Sequence, residues 1–260
     1  MELGLKGKTA VVTGGSRGIG LETARAFLQE GANVAFCGRN QKALDEALEA
    51  LSPLGNVLAI KADATSQEDM ERFALETAQR FGGIHCWVNN VGASIKRADE
   101  QYTPDEIRKT VAVCFESAVY GCQTAFKYMK DTGGAIVNVS SLAARCGTAG
   151  RSTLYGPLKA AVRELAVMFA AEYVAYNIRV NTVLPGFTMT PTVERTISPK
   201  ELAYNEEGTL LRRMAKPEEI AWPIVFLCSN KASYITATSL EVSGGRSVVL
   251  NPGFSYEKDI

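Results

Sequence analysis

The chain has 260 residues and balances 28 Lys+Arg against 28 Asp+Glu, so it has no basic surplus with which to grip the phosphate backbone of nucleic acid. Hydrophobic residues at 46% and charged residues at 22% suit an ordinary globule with a sizeable core, and no apolar run approaches the roughly 20 residues that span a bilayer. The single histidine, His85, excludes histidine-cluster metal sites, so no metal is expected and a general base is sought elsewhere.

Short β-branched runs alternate with longer amphipathic stretches, as in βαβ units feeding a parallel sheet. Strands are predicted at 9–13, 33–37, 57–61, 86–89, 135–139, 179–184 and 239–242. Helices are predicted near 18–30, 40–51, 67–81, 104–130, 153–176 and 217–229. Three of these have clear starts: Ser66 before Gln-Glu-Asp, Thr103 before Pro104-Asp105-Glu106, and Pro217-Glu218-Glu219. The result is an α/β chain with one doubly wound, seven-stranded parallel sheet, read as a single domain over 1–260. Three irregular stretches, 93–102, 145–152 and 187–216, each follow a strand, where ligands bind in open α/β sheets. His85 is expected at the surface or at a sheet edge. The six cysteines show no C-x-x-C pair, and the first residues lack a signal-peptide stretch, so reduced thiols in a cytoplasmic protein are expected.

After the first strand comes Thr13-Gly14-Gly15-Ser16-Arg17-Gly18-Ile19-Gly20. Gly14, Gly18 and Gly20 let the backbone turn and approach a pyrophosphate, whose charge the free N–H groups at the helix start would hold. Ser16, Arg17 and Ile19 belong to the same turn. An NAD site usually carries an acid about 20 residues on, against the adenosine ribose. Here that place reads Phe36-Cys37-Gly38-Arg39-Asn40, without an acid. Arg17 and Arg39 could flank a 2′-phosphate, so the cofactor is read as NADP(H). Asp63, after the third strand, is expected to accept from the adenine amino group.

These residues, with Asn89-Asn90-Val91-Gly92, Ser141, Tyr155-Gly156-Pro157-Leu158-Lys159 and Pro185-Gly186, resemble in order the signature of the short-chain dehydrogenase/reductase family, from Lys6 to Gly245. The resemblance implies a Rossmann-type sheet with helices on both faces, a nicotinamide cofactor and a Ser-Tyr-Lys centre. It also implies that Lys159 holds the nicotinamide ribose, that Asn90 lies beside the adenosine ribose, and that the Pro185-Gly186 turn fixes the carboxamide through Thr188 and Thr190. Tyr155 and Lys159, four apart on a helix, share one face. A phenol of pKa about 10 is a poor base near neutrality, and a neighbouring ammonium, with the positive nicotinamide in the oxidised complex, would pull it down. Tyr155 would then exchange a proton with a carbonyl or alcohol oxygen while Ser141 steadies the charge there.

Two departures stand out. Cys114 occupies the place where many members carry a helix asparagine, and the Ser141 to Tyr155 spacing is one residue longer than usual. The expected function is an NADPH-dependent oxidoreductase interconverting a ketone and a secondary alcohol. A 3-oxoacyl thioester reductase, a hydroxysteroid dehydrogenase and a non-catalytic NADPH-binding regulator stand as alternatives. Ile95, Leu142, Phe187, Met189 and Met214 would suit a hydrophobic ketone. Lys96, Arg97, Arg145, Arg151, Arg195, Arg212 and Arg213 read as a mixed, solvated face. Family members commonly pair through the helices near 104–130 and 153–176 and the last strand, so a homotetramer or homodimer is implied. The tail 251–260 would cover a neighbouring subunit's site or fray.

Overall fold

The computed structural model describes residues 2–93, 101–147, 152–246, 248–249 and 251–256. In chain order the elements are β1 (Thr9–Thr13), α1 (Gly18–Gln29), β2 (Asn33–Gly38), α2 (Gln41–Leu51), β3 (Val57–Lys61), α3 (Gln67–Phe81) and β4 (Cys86–Asn89). There follow α4 (Pro104–Val111), a π-helical turn (Ala112–Glu116), α5 (Ser117–Met129), β5 (Gly134–Val139), α6 (Tyr155–Tyr173) and β6 (Ile178–Pro185). The last are α7 (Pro191–Thr196), α8 (Pro199–Glu207), α9 (Pro217–Cys228) and β7 (Ser239–Val242).

The seven strands form one sheet in the order β3-β2-β1-β4-β5-β6-β7, every pair parallel. Both faces are covered, so strand residues are apolar on both sides. Alternate residues feed opposite cores: Ala10, Val12, Val34, Phe36, Cys86 and Val88 face α1, α2 and α9, while Val11, Ala35, Cys37 and Trp87 face α3, α5 and α6. Strand order reverses between β1 and β4, which opens a crevice at their carboxyl ends. No helix among the described residues is long and apolar enough to cross a membrane.

The helical starts follow the expected chemistry. Ser66 accepts from Asp69 N–H, and Thr103 forms a reciprocal capping box with Glu106. Three expectations change. The helix predicted near 104–130 is interrupted by the wide turn, in which Ser117 N–H reaches back to Ala112 O. The stretch 187–216, expected to be irregular, contains α7 and α8. Each starts on a capping residue followed by proline, Thr190-Pro191 and Ser198-Pro199, and Ser198 completes a capping box with Glu201. Both helices are short and lack a strong apolar stripe, so periodicity did not mark them. Third, His85 is not at a sheet edge. It is half-buried at the amino end of β4, in the middle of the sheet, where its Nδ1 accepts from Thr9 N–H at 3.1 Å. Its own N–H donates to Thr9 O, and its carbonyl accepts from Ala135 N–H.

Candidate active site

The glycine turn between β1 and α1 is shaped to accept an anion. Gly18 has φ +55°, a left-handed conformation that side chains disfavour. A Cβ at Gly20 would run into Gly14 O and Asn90 Nδ2. Arg17, the residue before α1, provides no side-chain cap, and the first turn of α1 contains no acid. The orphan N–H groups there are thus left for a ligand's phosphates, and the turn fits the pyrophosphate of a dinucleotide. Asn90 is spent on the turn itself: its Nδ2 donates to Thr13 O and Gly14 O, both at 3.1 Å, and its N–H to Thr13 Oγ1. Asn89 lies deeper. It accepts from Trp87 Nε1 at 2.7 Å and donates to Asn138 Oδ1 at 2.8 Å, tying β4 to β5.

At the end of β2, Ser16 Oγ faces Gly38, and the exposed Arg39 side chain follows. Arg39 Nη1 lies 3.6 Å from Asp63 Oδ2, while Asp63 Oδ1 accepts from Thr65 N–H and Thr65 Oγ1. Asp63 thus serves as a turn residue before α3 and as a partner of Arg39. The one-sided contact leaves other guanidinium donors of Arg39 facing solvent beside the turn.

Ser141, Tyr155 and Lys159 converge at the carboxyl end of β5. Ser141 follows β5, and its Oγ accepts from Ala143 N–H at 3.1 Å. It is also near enough to Tyr155 to favour the ionised form of that phenol. Tyr155 opens α6, and Lys159 one turn later is almost fully buried, its Nζ donating to Val139 O at 2.8 Å. Lys159 Nζ lies 5.9 Å from the Tyr155 ring centre. Ser140, not singled out in the sequence, anchors the helix by donating to Lys159 O at 2.7 Å. Its only sequence signal is adjacency to Ser141.

The electrostatics differ from the expectation of a lowered tyrosine pKa. Burial pushes the Tyr155 phenol up to about 12, against the lowering effect of Ser141. Burial pulls the Lys159 ammonium down to about 8. In both groups desolvation of the charged form is the dominant cause in the protein alone. The π-helical turn brings the fully buried Cys114 against the same centre, where its thiol donates to Ala93 O at 3.1 Å. The thiol is thereby directed to the backbone after Gly92.

Pro185 ends β6, and Gly186 N–H donates to Val242 O at 2.9 Å. Thr188 pairs with Ala215 in a parallel bridge, and Thr190 Oγ1 caps α7 through Val193 N–H. Thr190 also abuts Gly18, since a Cβ there would lie 3.3 Å from Thr190 Cγ2. The β6 turn and the glycine turn therefore meet over the crevice, as a shared cofactor requires. Of the wall residues, Leu142 and Met214 are buried. Ile95, Lys96, Arg97 and Arg151 lie outside the described residues. Tyr102 and Ser152, at the ends of two of the expected substrate loops, share a 2.9 Å hydrogen bond.

A family model described as enoyl-(acyl carrier protein) reductase matches residues 14–247. The chain is 35% identical over 256 residues to a tropinone reductase homolog from Arabidopsis thaliana, covering 97% of this chain and 96% of that protein. It is 32% identical over 247 residues to an NADP-dependent (R)-specific alcohol dehydrogenase from Lentilactobacillus kefiri, with 93% and 97% coverage. Among solved structures, a 7α-hydroxysteroid dehydrogenase complexed with NADH and 7-oxo glycochenodeoxycholic acid superposes with TM-score 0.90 at 30% identity, covering 96% of this chain and 98% of that one. The chain belongs to the short-chain dehydrogenase/reductase family. It is an oxidoreductase that interconverts ketone and alcohol groups.

Proposed function

We propose that this oxidoreductase is an NADPH-preferring reductase of uncharged, hydrophobic ketones, with Tyr155 as the proton donor. The observation that carries the reading is the meeting of Tyr155, Ser141 and Lys159 at the end of β5, with the phenol held protonated at neutral pH. When bound, NADPH supplies the hydride to the carbonyl carbon. Tyr155 Oη gives its proton to the carbonyl oxygen, while the Ser141 hydroxyl donates a hydrogen bond to that oxygen and stabilises its developing charge. The Lys159 ammonium, close to the phenol and without a carboxylate partner among the bonds described here, favours the phenolate left behind.

Preference for NADPH is supported by Arg17 and Arg39 beside a β2 end that lacks an acid, and the alcohol dehydrogenase relative is NADP-dependent. The neighbouring NADH complex shows that the fold serves the other cofactor too, so the arginines carry this point. An uncharged substrate is supported by the four wall arginines among the described residues, which are engaged within the chain. Arg145 pairs with Glu241, Arg213 grips Glu219 through two 2.6 Å contacts, Arg195 donates to Pro191 O, and Arg212 donates to Glu207 O. The structural likeness to an enzyme complexed with a 7-oxo steroid favours a steroid ketone as the second reading of substrate. We further read the protein as a cytoplasmic homotetramer or homodimer. Its described cysteines are all free thiols, consistent with a reducing compartment.

The test is initial-rate oxidation of NADPH and NADH, in parallel, across aliphatic, aryl and steroid ketones. Turnover should favour NADPH, and Tyr155→Phe should lose about 10²- to 10⁴-fold in kcat while still binding NADPH. An active Tyr155→Phe variant would remove the proton-donor assignment, and preference for NADH would remove the role of the two arginines.

A further inference from the structure

The segment after β7 is clasped to the helical arm that follows β6. Arg246 is the centre of that clasp. Its guanidinium carbon lies 4.7 Å from the ring centre of Phe187 and 5.4 Å from that of Tyr204, so it is held between one ring at the β6 turn and one on α8. Its Nη1 donates to Asn205 O at 2.9 Å, and the same carbonyl accepts from Thr209 Oγ1 at 2.8 Å. Asn205 and Thr209 are both buried, so this carbonyl has few other partners to turn to. The join continues on both sides of Arg246: Leu211 N–H donates to Gly244 O, and Tyr256 Oη donates to Leu210 O at 2.8 Å while Arg212 lies over the Tyr256 ring.

Phe187 is two residues beyond Pro185, and its carbonyl accepts from Ala215 N–H while Met189 N–H donates to Ala215 O. The two ends of the arm are therefore pinned together at Ala215, and the helices between them are free to be placed by what they dock against. At its far side the arm meets the glycine turn through Thr190. A contact that fixes α8 also fixes the ring of Phe187, the first side chain past the carboxyl end of β6.

We propose that Arg246 is a positioning residue for the ketone: by bridging Phe187, Tyr204 and Asn205 O, it holds the arm 190–214 closed over the substrate side of the crevice and sets the wall that the substrate meets. Arg246 touches no reacting atom. It acts through Phe187 and α8. The inference rests on the ketone-reductase reading above. Loss of the guanidinium removes two ring contacts and one charged hydrogen bond and so shifts the arm toward open forms, which weakens ketone binding. Dinucleotide binding is little changed, because the glycine turn and the end of β2 are remote from Arg246 in the contact network, while Thr188 and Thr190 are held by the bridge to Ala215 and by the cap on Val193 N–H, neither of which uses Arg246.

The test compares wild type with Arg246→Met, Arg246→Lys and Tyr204→Leu, using the best ketone of the panel. Arg246→Met should raise KM about tenfold and change kcat much less, and NADPH affinity by fluorescence titration should stay within about twofold. Arg246→Lys, which keeps the charge over the rings, should recover part of the KM loss. Tryptic cleavage at Lys200 in α8, followed by mass spectrometry on the folded protein, should speed up in Arg246→Met and Tyr204→Leu. Unchanged KM and unchanged cleavage in both variants would overturn the proposal. So would a fall in kcat and NADPH affinity in step with melting temperature, which marks a merely structural role. If wild type reduces no ketone, the functional reading fails by itself. Cleavage at Lys200 then decides the clasp: faster cutting supports it and equal cutting rejects it.

Discussion

Lys159, which we propose supports the proton donor, is kept in the fold at a cost in stability. An ammonium with almost no solvent access and one carbonyl acceptor is pulled down to about 8. Its folded value lies below the ordinary 10.5, so the unfolded chain holds the proton more tightly between those limits, and stability rises with pH across that window. Below about pH 8 the full cost is present. Lys159→Met should therefore raise conformational stability at pH 7 by about 2 kcal/mol, after allowing for the bond lost at Val139 O. Denaturant titrations at pH 7 and pH 10 check this: the gain should shrink at the higher pH, and a destabilised variant at pH 7 would refute it. The centre itself was legible as Tyr155 and Lys159 one helical turn apart. The direction of the tyrosine shift was not, because desolvation depends on what the tertiary structure packs around the hydroxyl.

At the scale of elements, the π-helical turn 112–116 and the arm 190–214 place the residues that regular helices would misplace. The wide turn directs Cys114 to Ala93 O, so the thiol substitutes as a backbone tether and not as a carboxamide. Cys114→Ala should lower stability by about 1 kcal/mol, from the lost donor and the small cavity together, with Cys114→Ser in between. Equilibrium denaturation reads this directly, and equal stability of all three proteins would dismiss the tether. The sequence predicted one helix near 104–130 because Ala112–Glu116 contains no proline or glycine to mark the interruption. α7 and α8 carried readable signals in Thr190-Pro191 and Ser198-Pro199-Lys200-Glu201. They passed unread because a capping signal without a strong apolar stripe resembles a loop.

For the molecule as a whole, His85 provides an internal pH probe far along the chain from the proposed catalytic residues. Burial, with a lesser contribution from Lys8, holds its pKa below the ordinary 6.5, and its neutral Nδ1 accepts from Thr9 N–H. Its stabilising contribution is therefore complete above about 6.5 and is lost as pH falls through the depressed folded value. The melting temperature should decline from pH 7 to pH 5, and His85→Gln, whose amide oxygen accepts without titrating, should flatten that slope. Because His85 is the sole histidine, an undiminished slope in the variant would refute the assignment. Assembly is the other property at this scale. β7 ends the sheet with one edge open, and Met168, Val174 and Tyr176 are exposed on and just after α6. Light scattering should give about 112 kDa, four times 28.0 kDa, or half of that for a dimer; a 28.0 kDa species would reject the assembly.

The order of the elements, the glycine turn, the missing acid before Arg39 and the Ser-Tyr-Lys set were determined by the sequence itself, because each rests on local spacing or on the chemistry of one side chain. Tertiary structure decided what those groups became. Asn90 is consumed in bracing the turn, Asp63 is shared between Thr65 and Arg39, and two of the wall arginines, Arg145 and Arg213, are paired with carboxylates within the chain. Arg246 meets Phe187 and Tyr204 across about 40 to 60 residues of chain. Those outcomes depend on contacts between distant segments and on the exclusion of water, which neither periodicity nor motif records.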